Sequence, residues 1–115
     1  MDIERLPGSA PGRTHAAAFG SLVFGVATSK AADLEAQATE CFAYLDSLFG
    51  KLGASKGRVL SVTVYLADLG QKAVLDKAWS AWVGENPDHW PQRCCIGATL
   101  ASGCHVEMTA VAARE

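Results

Sequence analysis

The chain has 115 residues, half of them hydrophobic and 19% charged, with a formal net charge of −2; its mass is 12.1 kDa and its mean hydropathy +0.13. That length predicts a single domain over residues 1–115 with one core, and the apolar fraction excludes intrinsic disorder. No uninterrupted apolar run reaches the length of a membrane helix, and Lys and Arg are scattered rather than gathered into a stripe that would hold a nucleic acid. The first residues, Met1-Asp2-Ile3-Glu4-Arg5, are acidic where a secretory signal is positive, and no apolar segment follows, so a cytoplasmic protein is expected. In that reducing setting Cys41, Cys94, Cys95 and Cys104 are expected as free thiols. Zinc ligation by Cys94, Cys95, Cys104 and His105 is disfavoured because adjacent strand residues point to opposite faces; no metal is expected. One oddity remains: charge is sparse for a small, surface-rich body, as if another subunit covered part of it.

In chain order, Ile3–Leu6 reads as a short edge strand, and the turn residues Gly8, Ser9 and Gly12 as the loop after it. Residues 16–27 read as two short strands joined at Gly20-Ser21. From Asp33 to Leu52 the apolar residues Leu34, Ala38, Cys41, Phe42, Leu45, Leu48, Phe49 and Leu52 recur in steps of three and four. That spacing predicts an amphipathic helix, with Gln37 off the stripe and Gly50 and Gly53 as the stop. Residues 59–67 change to a period of two. Leu60, Val62, Val64 and Leu66 face one way, and Ser61, Thr63 and Tyr65 the other. A second helix follows over 71–83, striped by Val74, Leu75, Ala78, Trp79, Trp82 and Val83. The i, i+3 spacing of Trp79 and Trp82 reads as core. Two last strands are expected near 92–100 and 105–112, joined by Ala101-Ser102-Gly103 as a hairpin turn. In the first, Cys94 and Ile96 are assigned to the helix side and Arg93, Cys95 and Gly97 to the other.

The order β-β-β-α-β-α-β-β predicts an α+β fold of two layers, a mixed sheet with two helices on one face. The face left open carries Ser61, Thr63, Tyr65, Arg93, Cys95, Gly97, Thr99, Glu107 and Thr109. It is too polar for a core and too weakly charged for a solvent face, which suggests self-association through the sheets.

The segments SVTVYLAD (61–68), KAWSAWV (77–83), PQRCCIGATL (91–100) and VEMTAVAA (106–113) resemble those of the RidA/YjgF family, known in older usage as L-PSP endoribonucleases. The family's usual forms of the last two are close to P-A-R-S-C-V and V-E-I-E-A-I-A. The resemblance implies a chorismate-mutase-like homotrimer with ligand sites in three clefts between subunits. The implied activity is hydrolysis of enamines and imines of the 2-aminoacrylate type to a 2-keto acid and ammonia, with no cofactor.

Residue by residue, the resemblance makes Arg93 the clamp for the substrate carboxylate, a task suited to a planar guanidinium fork. Cys95 is implied as a cleft-lining residue and Gly25 as another, while Trp90, in the loop before Arg93, is a candidate wall. Glu107 matches the first acid of V-E-I-E. Thr109 stands where the active deaminases carry the second acid, and a threonine is no general base at neutral pH. Glu107 is therefore the candidate catalytic group, and a trimeric binder of small carboxylates without turnover is the alternative. His15 and His105 are spare titratable groups. RNA cleavage, suggested by the older label alone, is opposed by the net negative charge.

Overall fold

The computed structural model describes residues 2–115. Its elements run β1 (Ile3–Pro7), β2 (Thr14–Phe19), β3 (Leu22–Ala27), α1 (Leu34–Lys51), β4 (Ala54–Leu66), α2 (Lys72–Val83), β5 (Gln92–Gly97) and β6 (Val106–Arg114). This is the α+β order expected, and one six-stranded mixed sheet, β1-β2-β3-β6-β4-β5, carries both helices on one face. No helix is long and apolar enough to cross a membrane.

Helix α1 begins where Asp33 accepts a 2.9 Å hydrogen bond from the Ala36 N–H, a side-chain cap for one of the unpaired first-turn donors. It ends before Gly53, whose φ of +87° is the left-handed backbone that terminates a helix without steric cost. Its stripe packs on Val23, Val62, Val64, Met108 and Ala110 from the strands, a single core. Gln37, expected to lie off that stripe, is fully buried. Its amide donates to the carbonyls of Ala31 and Gly103 at 2.9 Å, and its oxygen accepts from the His105 N–H at 2.8 Å. Three bonds satisfy a buried amide that would otherwise be costly, and they pin the chain before β6 to α1. Burial here serves a tertiary staple that hydrophobic spacing does not report.

Three further expectations are corrected. Residues β5 and β6 do not form a hairpin: β4 lies between them, parallel to β5 and antiparallel to β6. The connecting segment passes the end of β4, held by Ala98 N–H to Leu66 O and Ala67 N–H to His105 O. Leu60 is 48% exposed, while Val59 is buried, because the register of β4 on β6 slips between Val59 and Ser61. A bulge reverses the phase of a strand locally.

The third correction moves Arg93. Strand β5 pairs Arg93 with Val62 and Cys95 with Val64, and both valines are buried toward the helices. Arg93 and Cys95 therefore face the helix layer, and Cys94 and Ile96 lie on the open face, the reverse of the expected phase. The open face keeps Ser61, Thr63, Tyr65, Glu107 and Thr109 as expected. On its β1–β3 side it is more apolar than the sequence reading allowed, with Ile3, Phe19, Leu22 and Phe24 exposed.

Candidate functional site

Two hollows flank the helix layer. The first is a cleft of about 860 Å³ lined by Asp76, Trp79, Val83, Glu85, Trp90 and Arg93, among others. Its floor comes from α2 and its wall from the loop that leads into β5. Asp76, Trp79 and Val83 share one side of α2 by the i, i+3, i+4 rule, and Arg93 reaches across to them from the edge strand. The guanidinium carbon lies 5.1 Å from the centre of the Trp79 ring, within the range of a cation–π contact. Arg93 Nη2 is 2.8 Å from Asp76 Oδ1, and Lys72 Nζ is 3.2 Å from Asp76 Oδ2. Desolvation opposes ionisation of Asp76, but the hydrogen bonds and charges of Arg93 and Lys72 outweigh it and hold the carboxyl below its usual range. Oδ1 is shielded from solvent, so the contact with Arg93 is its main support.

Trp90 both anchors its loop and lines the cleft. Its indole N–H donates to Gly84 O at 2.9 Å, and the ring is 54% exposed. Trp79 and Trp82 belong to the core as expected: Trp82 stacks on Phe42 at 4.6 Å and donates to Asp46 at 3.1 Å. Trp79 also has a face on the cleft. The sequence reading missed that second role, and it missed Asp76. Their signal was present as an acid and an aromatic at i, i+3 on the helix, but its meaning depends on Arg93 facing that helix.

The second hollow, a recess of about 900 Å³, is walled by Arg13, His15, Lys30, Glu40, Tyr44 and Glu107 with the 101–104 segment. His15 sits where β2 bulges against β1, between the pairs Leu6↔Ala16 and Pro7↔Thr14, and its Nδ1 meets the hydroxyl of Tyr44 on α1. The Ser9 N–H points to the other ring nitrogen at 3.3 Å. Glu107 is half-buried on the open sheet face, opposite Tyr65, and forms no ion pair among the described residues.

Two residues expected to line a cleft between subunits lie outside both hollows of the single chain. Gly25 is buried beneath α1, where a Cβ would lie 3.2 Å from Phe49 and 3.3 Å from Leu45. It is a close-packing glycine and lines neither hollow. Cys95 shares a face with Arg93 but packs against the core, outside the cleft walls. Cys94, expected to face the helices, is exposed. His105 is exposed on the segment before β6. All four cysteines are free, and no cluster of potential metal ligands occurs among the described residues.

With this geometry in place, comparison with known proteins is decisive. The family described as Endoribonuclease L-PSP matches residues 20–114. This chain belongs to the RidA/YjgF family. It is 37% identical over 90 residues to the RutC family protein YoaB of Escherichia coli K12, covering 77% of each chain. A crystal structure of a Pseudomonas aeruginosa protein superposes with a TM-score of 0.88 at 33% identity, covering 99% of this chain and 100% of the other. A YjgF family member from Neisseria meningitidis gives a TM-score of 0.88 at 29% identity, over 100% and 97% of the two chains. The RidA/YjgF assignment thus extends over the whole sheet, including β5 and β6, which carry Arg93 and Glu107.

Proposed function

We propose that this protein hydrolyses reactive enamine or imine acids of the 2-aminoacrylate type to a 2-keto acid and ammonia, in clefts shared between copies of a homotrimer. The observation that carries the reading is the division of charge. Arg93 lies on the helix side of the edge strand, while Glu107 lies on the open face two strands away. One copy alone cannot turn both groups onto a ligand of a few atoms, so a complete site needs a second copy. The exposed Phe19, Leu22, Phe24 and Ile96 on the open face favour that association.

In this reading Arg93 holds the carboxylate by paired, charge-assisted hydrogen bonds, and Trp90 and Trp79 wall the ligand. Glu107 accepts a proton from water as the water oxygen bonds to the imine carbon. The carbon–nitrogen bond then breaks, and nitrogen leaves as ammonia carrying both protons of the water. The residues themselves supply every group in this sequence, and the reading calls for no cofactor.

The test mixes the pure protein with an amino-acid oxidase that releases imine and follows imine decay. Acceleration over buffer, lost with Arg93→Ala, is expected; decay at the buffer rate across several substrates overturns the enzyme reading. Thr109, exposed where the family's second acid would stand, favours one alternative, a trimeric binder of small carboxylates without turnover. Calorimetric binding of small carboxylate ligands without any acceleration selects it. A sedimentation mass near the 12.1 kDa of one chain overturns the shared cleft in both readings.

A further inference from the structure

Building on the proposed role of Arg93, we infer that Asp76 is a specificity-determining residue, selecting ligands that carry a protonated nitrogen beside their carboxylate over plain carboxylates. Around Arg93 the cleft places two carboxylates, Asp76 and Glu85, and no second cation among its lining residues. Lys72 pairs with the outer oxygen of Asp76, from outside the cleft wall. A ligand carboxylate arriving at Arg93 therefore meets a guanidinium already shared with a like charge at 2.8 Å. A plain 2-keto acid brings only negative charge to this place and is repelled by Asp76 at the distance that makes it attractive to Arg93.

An amino or imino acid brings both signs. Its carboxylate draws the guanidinium away from Asp76 Oδ1, an oxygen shielded from solvent. The ligand's own N–H then takes the place of Arg93 at this shielded oxygen, so that the acceptor is not left without a donor. The exposed Trp90 ring offers a further negative π face to a protonated nitrogen. Applied to the proposed reaction, Asp76 would hold the iminium form of the substrate and loosen the site's grip once the nitrogen has left, from this form as ammonium, and a plain keto acid remains.

The experiment is calorimetry at neutral pH with alanine as the zwitterion and pyruvate as the plain keto acid, on wild type, Asp76→Asn, Asp76→Glu and Arg93→Ala. Wild type is expected to prefer alanine. In Asp76→Asn the preference should shift toward pyruvate by about fivefold, the size expected for a half-exposed charge pair, and Asp76→Glu should restore it. Asp76 is a partly exposed helix residue, so thermal melts of the two variants should stay near wild type. An alanine-to-pyruvate affinity ratio unchanged by Asp76→Asn overturns this inference while leaving Arg93 as the clamp. Binding of neither ligand to wild type, or equal binding to Arg93→Ala, overturns the carboxylate-cleft reading and this inference with it.

Discussion

The cleft under α2 and the recess beside α1 each have two carboxylates in their walls, yet they treat them differently. In the cleft, Asp76 is engaged by both Arg93 and Lys72. In the recess, neither Glu40 nor Glu107 forms an ion pair among the described residues, although Arg13 and Lys30 line the same walls. A charge held in place is suited to gripping and sorting ligands, because its geometry is set before the ligand arrives. A carboxylate without a committed partner is suited to moving a proton, because no ion pair must break first. In the proposed function the two hollows would divide binding from proton transfer, and a site shared between copies would let them meet.

The sharpest way to break this division is Glu107→Gln. Turnover of imine should fall roughly a hundredfold, the usual scale of one general base, while carboxylate affinity measured by calorimetry stays put. A matching loss of affinity would move Glu107 into the binding half. Arg93→Ala should do the opposite. Losing a charged hydrogen-bond donor costs about 2 kcal/mol, roughly thirtyfold in carboxylate affinity, and the same variant should leave urea stability nearly unchanged because Asp76 keeps Lys72 and solvent.

Gly25→Ala probes the boundary of the site. Its new methyl would press on Phe49 and Leu45, both essentially fully buried, and overpacking of this kind costs about 1 kcal/mol. Urea unfolding should show that loss with ligand affinity intact; a change in affinity would return Gly25 to the site. The smallest effects concern the thiols. Cys94 should react first with a thiol reagent and Cys41 last. Burial, aided by nearby Cys104, Glu40 and Glu107, pushes the Cys41 thiol from 9.0 up to about 12. Since the folded state favours the neutral thiol, its contribution to stability is complete below pH 9.0 and is lost as pH rises toward about 12. Alkaline melts should therefore be shallower in Cys41→Ala; an identical slope would show that the thiol does not carry this dependence.

How legible these regions were differs along the chain. Helix α1, the β2–β3 hairpin and the order of elements were readable because each buries a face whose period is local. The P-x-R-x-C segment marked Arg93 by type, yet not by direction. At an edge strand both faces carry a mixture, with Cys94 and Ile96 on one side and Cys95 on the other, so a period of two does not say which side is the inner one. The same ambiguity hid Asp76, because an acid on α2 looks like solvent surface until an arginine points at it. Gln37 was misread for a related reason: its burial depends on Gly103 and His105, which are distant in sequence.

Low charge, periodicity and motif order were enough to determine a two-layer α+β fold with a conspicuous arginine in its penultimate strand. Only the tertiary structure decided which way that arginine faces, since the parallel register of Arg93 on Val62 is a long-range pairing that no local period encodes. From that one register follow the cation–π contact, the pair with Asp76 and the separation from Glu107. Periodicity is set by near neighbours along the chain, whereas a site is made by neighbours in space.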